Sequence, residues 1–397
     1  MLDEYTIKDV IDEVIDYRGK TPKKLGGDWS EVKTDYMALS AKNIKKGRIV
    51  QPDTIRYVDQ EMYNKWMKQE VERGTILITS EAPFGELLYW DSNDKIVLSQ
   101  RLFGLKIKKE FNSRYIYYYM FSEQFQGELS GRATGSTVTG LRQPELLKCH
   151  LKIPNRKYQD IIAAMLMNID KKIDLNNEIN NNLHELCNNL YFKLVSQLND
   201  TNSSVESIKN VAKCVLGGTP SRTKKEYWNG SINWINSGEI NKFRIIKASE
   251  KITELGLNKS STTLLPIGTT VLAITGATLG QVSRLEIDSC ANQSVIGIIT
   301  NEKELNNYMY LSILNSINDL VLKQTGGAQQ HINKNDVETH EIIVPSMKLI
   351  SQFDEIIRPL FDQISVNCFE INKLEQLRDT LLPKLMNGEI DLDNIEI

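Results

Sequence analysis

Gly217-Gly218-Thr219-Pro220 repeats, with one change, the earlier stretch Gly19-Lys20-Thr21-Pro22, 198 residues away in a chain of 397. The echo continues in order. GTILIT at 74–79 returns as GTTVLA at 268–273, and Ala82 and Gly85 return as Ala277 and Gly280. The apolar run 98–107, taken as one strand, returns as 291–299; Ile153-Pro154 returns as Val344-Pro345, and a helical run follows each. Solenoid repeats are shorter, typically ~20–50 residues. The period therefore marks a tandem duplication of a whole domain plus a long helix, two similar modules suited to reading two similar things.

Working outward, residues 1–153 form a first mixed domain, 154–200 a helical segment, 201–344 a second mixed domain and 345–397 a second helical segment with a tail. Within the first domain, 74–79, 87–90 and 95–98 read as strands and 114–125 as one helix, from apolar runs set off by Gly, Pro and Asn. Proline disfavours helix in the residue before it, so Ile153-Pro154 closes the domain. A helix over 157–195 carries an apolar stripe at Ile162, Leu166, Ile169, Ile173, Asn176, Asn180, Leu183, Cys187, Leu190 and Leu194. The steps alternate four and three, as in a coiled-coil seam. The second helix supplies Ile357, Leu360, Ile364, Asn367, Ile371, Leu374, Arg378, Leu381 and Leu385. Asparagine in a seam favours the register that pairs it. Two matched seams separated by a folded domain predict an antiparallel pair. A mid-helix proline costs ~3 kcal/mol, so the second helix is expected to begin or kink at Pro359, and Pro383 to disturb its last turns before an Asn387-Gly388 cap. The fold class is α/β (α+β): two mixed domains, each followed by a long helix, the helices pairing as an antiparallel coiled coil.

Bulk properties narrow the function. With 41% hydrophobic and 25% charged residues the composition is that of a globular protein. The acidic opening and the lack of an ~18-residue apolar run predict neither a signal peptide nor a membrane span, hence a cytoplasmic protein. The five cysteines form no C-x-x-C pair and read as buried thiols. A net charge of −3 lacks the usual basic footprint of nucleic-acid binders, although YRGKTPKK (17–24), KNIKKGR (42–48) and SRTKK (221–225) are locally basic. Chemistry is missing: Val14 stands where a phosphate loop ending in Gly19-Lys20-Thr21 needs glycine. No Asn-Pro-Pro-aromatic or Asp-Pro-Pro-aromatic tetrapeptide occurs, and the four histidines lack metal-ligand spacing. No catalytic residues, metal ligands or cofactor site are expected.

The second half runs GGTPSRTKKEYWNG, INWINSGEI, GTTVLAITGATLGQV, CANQSVIGII, QTGGAQQHINKNDV, IIVPSMKLISQFDEI and LEQLRDTLLPKLMNGEI. This ordered series resembles the specificity (S) subunits of type I restriction-modification systems, over essentially the whole chain. The first half departs: it lacks the Glu226-Tyr227-Trp228 tripeptide and has Ser99-Gln100-Arg101 where the second has Asn292-Gln293-Ser294. The resemblance implies that each domain reads one half of an asymmetric, bipartite double-stranded DNA target. It implies that the paired helices space the domains and dock two modification (M) subunits, and through them the restriction (R) subunits. S-adenosylmethionine would be held by the M subunits, and ATP with Mg by the R subunits.

Glycine-rich loops at 131–140 and 324–330 allow close backbone approach to phosphates, while Gln and Asn can pair with adenine and Arg with guanine. In the first domain the expected DNA contacts are Arg18, Lys20, Thr21, Lys42, Asn43, Gln100, Arg101, Arg132, Thr134, Ser136 and Thr137. In the second they are Thr219, Ser221, Arg222, Lys224, Ser237, Thr275, Asn292, Gln293, Gln324, Gln329 and Gln330. The seam residues are expected to carry partner docking. Trp234, in an Ile-x-Trp-Ile strand, is expected in the core. The competing reading is a scaffold of twin protein-binding modules on a coiled coil, for which no salt-dependent DNA binding is expected.

Overall fold

The computed structural model of the chain describes residues 2–134, 140–322 and 331–393. Contacts divide it into two units, Met1–Lys171 with Leu374–Ile397, and Lys172–Lys373, so each long helix contributes to both.

In the first unit a four-stranded sheet has the spatial order Ile11–Asp16, Leu102–Ile107, Ile76–Thr79, Leu87–Tyr89. Side chains alternate across a strand, so this sheet divides two cores. Ile76 and Ile78 face Phe103, Tyr115 and Tyr119, while Leu77 faces Leu98, Leu102 and Trp66. Both faces are covered, which is why Ile76–Thr79 is apolar without alternation. Arg56–Val58, Tyr36–Leu39 and Ile96–Leu98 form a second sheet, the last two strands parallel. The second unit repeats the plan with Ala212–Leu216, Val295–Thr300, Thr270–Ala273 and Val282–Arg284. Its three-stranded sheet joins Glu250–Ile252, Trp228–Ile235 and Cys290–Ala291, again with one parallel pair. In both units a two-stranded ribbon ties the start of the domain to the strand that enters the long helix: Asp3–Thr6 with His150–Ile153, and Ser203–Ser207 with Glu341–Pro345.

Two element expectations need correction. The run 98–107 is two strands in different sheets, Ile96–Leu98 and Leu102–Ile107, and its counterpart splits into Cys290–Ala291 and Val295–Thr300. Three polar residues turn the chain between the sheets, which apolar content on both sides conceals. Likewise 114–125 is two helices, Ser113–Tyr119 and Glu123–Gly131, because the Ser122 hydroxyl caps the second by accepting from the Phe125 N–H at 3.2 Å.

The first long helix is Arg156–Val195; the Asn155 side chain accepts from the Tyr158 N–H at 3.1 Å at its start. The second, Met347–Met386, neither begins at Pro359 nor ends before Pro383. Ile350, Phe353, Ile357 and Phe361 are buried around Pro359. At ~1.5–3 kcal/mol each, their burial outweighs a proline penalty of ~3 kcal/mol. Gly388, at φ 70°, caps the end, and the Glu389 N–H reaches the Lys384 carbonyl at 2.9 Å.

The helices run antiparallel. In the second unit Asn176 donates to Glu370 at 2.7 Å and Asn367 donates to Asn180 at 2.8 Å. In the first unit Arg378 donates to Asp170 at 2.9 Å, and Tyr158 donates to Asp393. Seam residues Ile162, Leu166, Ile173, Asn176, Asn180, Ile357, Ile364 and Asn367 are buried, and Ile169, Leu183, Leu190, Leu360, Ile371, Leu374 and Leu381 half-buried. Each recognition domain also grips the helices of its own unit. Tyr118 donates to Asp170 at 2.7 Å in the first, and Asn307 donates to Asp354 at 3.0 Å in the second.

Candidate nucleic-acid interface and helix flank

Strand register decides what gathers at the edge of each main sheet. In the first unit Asp16 pairs Phe103 and Thr79 pairs Leu102, so the segments after Asp16, after Thr79 and before Leu102 meet at one edge. The chain at Gly140 and Leu141 joins them, the Leu141 N–H donating to the Ser80 carbonyl at 2.9 Å. Together they line a cleft of about 440 Å³ with Arg18, Ser80, Glu81, Gln100, Arg101, Thr134 and Arg142. A second cleft of about 530 Å³ holds Thr21, Lys23, Trp29, Lys42, Thr54 and Arg56, and Gln100 borders both. In the second unit the same edge gathers 217–219, 274–280 and 292–294, with the Thr219 hydroxyl on the Gln293 carbonyl oxygen at 2.5 Å. Thr275 bridges to His331 and the Ile332 N–H donates to the Ile274 carbonyl at 3.0 Å. That contact brings His331 and Ile332 to the same place.

Several expected contacts are engaged elsewhere. Asn43 is buried, its carbonyl oxygen accepting from Ser40 and its NH₂ donating to Thr54 at 3.0 Å, so it braces a turn. Lys20 points inward, Nζ 2.9 Å from the Trp66 carbonyl over the Tyr17 ring, and burial lowers its pKa. Arg132 pairs with Glu128 at 2.9 Å, and that carboxylate also holds His150, outside the cleft. Arg222 donates two charge-assisted hydrogen bonds to the Glu250 carboxylate, at 2.5 and 2.8 Å, and stacks on Trp228 at 3.6 Å. Lys224 donates to Tyr227 at 3.0 Å, Ser221 meets Thr223, and Ser237 opens a short turn capped by Asn236. Trp234 is buried and donates to the Gly218 carbonyl at 3.0 Å. Asn292 accepts from the Ser294 N–H at 3.1 Å, which shapes the turn between the sheets. Ser136, Thr137, Gln324, Gln329 and Gln330 lie outside the described residues.

The clefts also hold residues that sequence reasoning passed over: Glu81 and Arg142 in the first, and Trp29, Lys23 and Arg56 in the second. Arg142, two positions beyond Gly140, was within reach of the loop pattern; Trp29 and Arg56 meet only through folding. Burial pushes Cys149 and Cys214 up to about 12, and Cys187, Cys290 and Cys368 up to about 11.

The helix pair offers a different surface. Its seam residues are buried or half-buried between the helices, so the exposed side chains of the pair lie on its flanks. In the second unit the ion pair Lys172–Glu370, at 3.4 Å, marks one flank of the pair. Ile179 and Leu186 follow Lys172 at steps of seven, and Ile356 precedes Glu370 by fourteen. Leu175 and Val366 stand on the same side by heptad position. All five are apolar and 37–59% exposed.

Twin mixed domains that gather divergent loops at one sheet edge, each feeding one helix of an antiparallel pair, define a double recognition module. The chain belongs to the type I restriction modification DNA specificity domain family, which matches it twice, at residues 2–185 and 201–377. As a specificity chain it is the non-catalytic, target-recognising component of such a system. It is 23% identical over 345 residues to the type I restriction enzyme MjaIX specificity subunit of Methanocaldococcus jannaschii, covering 81% of this chain and 79% of that one. Against the HindI specificity subunit of Haemophilus influenzae it is 27% identical over 190 residues, 47% of this chain and 41% of the relative's length. The type I restriction-modification S subunit from M. genitalium shares the fold, with a TM-score of 0.61 at 16% identity over 97% of this chain and 96% of that one. Among the described residues no helix is long and apolar enough to cross a membrane.

Proposed function

We propose that each recognition domain reads one half of a bipartite, asymmetric target in double-stranded DNA, and that the helix pair carries two modification subunits. The observation that carries this reading is the shared sheet edge. Both domains deliver the same loops there on the same strand order, yet with different side chains: Arg18, Gln100 and Arg101 in one, and Thr219, Asn292 and Gln293 in the other. A common scaffold with divergent polar loops is what two different half-sequences require. Base edges are read by such side chains, and phosphates by lysine, arginine and backbone amides.

The exposed stripe of Leu175, Ile179, Leu186, Ile356 and Val366 is the surface that we assign to modification-subunit docking, and the restriction subunits join through those partners. S-adenosylmethionine then belongs to the modification subunits, and ATP with Mg to the restriction subunits, all in the cytoplasm with the DNA. The net charge of −3 suits a chain that shares phosphate neutralisation with its partners. Domain exchange tests the reading: replacing residues 205–343 with the matching domain of another S subunit should change one half of the methylated motif in cells. A change in both halves, or in neither, refutes one domain per half-site. Binding to duplex should fall steeply with salt, which a protein-binding scaffold does not require.

A further inference from the structure

We propose that Arg101, held by Glu81, reads a guanine in the half-site bound by the first domain; this rests on the DNA-reading function proposed above. Three guanidinium groups share the 440 Å³ cleft, those of Arg18, Arg101 and Arg142, and the first two differ in what remains free. Arg18 donates through Nε and Nη2 to Asp16, both at 2.9 Å, and through Nη1 to the Leu141 carbonyl at 3.3 Å, over the Phe103 ring. All three of its nitrogens are engaged. Arg101 is different. Its Nε lies 3.0 Å from Glu81 Oε1, and its side chain is 47% exposed. Among the described residues neither terminal nitrogen of Arg101 has a hydrogen-bond partner, and that end-on pair of donors is the one that matches guanine O6 and N7.

The carboxylate decides between base and phosphate. An arginine paired with a carboxylate is close to neutral as a pair, so it attracts a polyanion weakly. Its orientation is nonetheless restricted, which favours a directional two-bond contact with a base edge. The backbone supports the same assignment. Arg101 sits at φ 67°, a left-handed conformation uncommon for residues other than glycine, at the turn between the two sheets. The second domain lacks both members: by the repeat, Gly276 stands at the place of Glu81, and Asn292-Gln293-Ser294 at the place of the arginine's turn. The arginine and its buttress are present together or absent together, and the guanine contact is confined to the first half-site.

The test is selection from a randomised duplex pool by the full chain assembled with its modification subunits. It compares wild type with Arg101→Ala, Arg101→Lys and Glu81→Gln. The half-sites are assigned beforehand by the domain exchange. One guanine column of the first half-site should lose roughly 5- to 150-fold of its preference in Arg101→Ala, the range one bidentate contact supplies. Arg101→Lys should retain non-specific duplex affinity while losing that preference, and Glu81→Gln should weaken it in part. Columns of the other half-site should not move. The inference is overturned if the wild-type half-site contains no guanine, or if Arg101→Ala lowers affinity with every column intact. A wild-type assembly that enriches no motif would instead refute the DNA-reading function, and the inference with it.

Discussion

Replacing Asn367 with leucine should destabilise the second unit, and replacing Asn180 with leucine as well should reverse the loss. Asn180 and Asn367 are 3% and 4% exposed. Asn367 donates to the Asn180 carbonyl oxygen at 2.8 Å and accepts from Gln363 at 2.7 Å, while Asn180 donates to the Cys368 sulfur at 3.5 Å. Asn367→Leu leaves the Asn180 carbonyl oxygen buried without its donor, a cost of about 1–3 kcal/mol. In the double variant two apolar side chains face each other, and replacing both partners of a buried polar pair is close to neutral or stabilising. The coupling energy of the double-mutant cycle should therefore be about 1–3 kcal/mol. Urea denaturation followed by tryptophan fluorescence measures it, in a background where Trp29, Trp66 and Trp90 of the first unit are replaced by phenylalanine so that Trp228 and Trp234 report on this unit. If the single effects add to within about 0.5 kcal/mol, the two amides do not act as a pair and the register argument fails.

The flank assigned to docking gives a second expectation. Leu175→Glu with Ile179→Glu should abolish co-purification of modification subunits while leaving helical content, read by circular dichroism, unchanged. The two glycines of the repeated tetrapeptide should differ. A Cβ on Gly217 would lie 2.1 Å from the Asn292 carbonyl oxygen, whereas nothing lies within 4 Å of one on Gly19. Gly217→Ala should cost about 1–3 kcal/mol in thermal or urea unfolding, and Gly19→Ala less than about 0.5 kcal/mol. Burial beside Arg244 lowers His184 to about 4 from 6.5. The unfolded chain then takes up its proton first, so the stability contribution is full above pH 6.5 and declines as pH falls towards 4. Because the ring keeps partial solvent contact, the change should be on the order of 1 kcal/mol, and His184→Phe should flatten the urea midpoint against pH.

The repeat and the heptad steps are local patterns, and what they dictate is local. The duplicated domains, the long helices and the seam follow from where apolar residues recur, since a stripe at alternating steps of three and four can be buried only against a matching stripe. Asn180 and Asn367 could be read as register marks from sequence because a buried amide needs a partner on the facing helix. The resemblance carried by GGTP, NQS and the Pro-helix junction was likewise legible, being a matter of order along the chain.

Other features depend on residues far apart in sequence. Pro359 argues for a break only if the helix is weighed alone; the burial of Phe353, Ile357 and Phe361 against the rest of the second unit keeps it helical. Lys20, Asn43, Arg132 and Arg222 look like free polar groups in a basic or punctuated stretch, and each has a partner that folding supplies. The reverse holds for Glu81, Trp29 and Arg56, which no motif marks. Side-chain type and spacing determined the modules and the helical pair. Which polar atoms remain unpaired at the sheet edge was decided only by tertiary structure, because hydrogen-bond partners and solvent access are set by distances that the sequence does not contain.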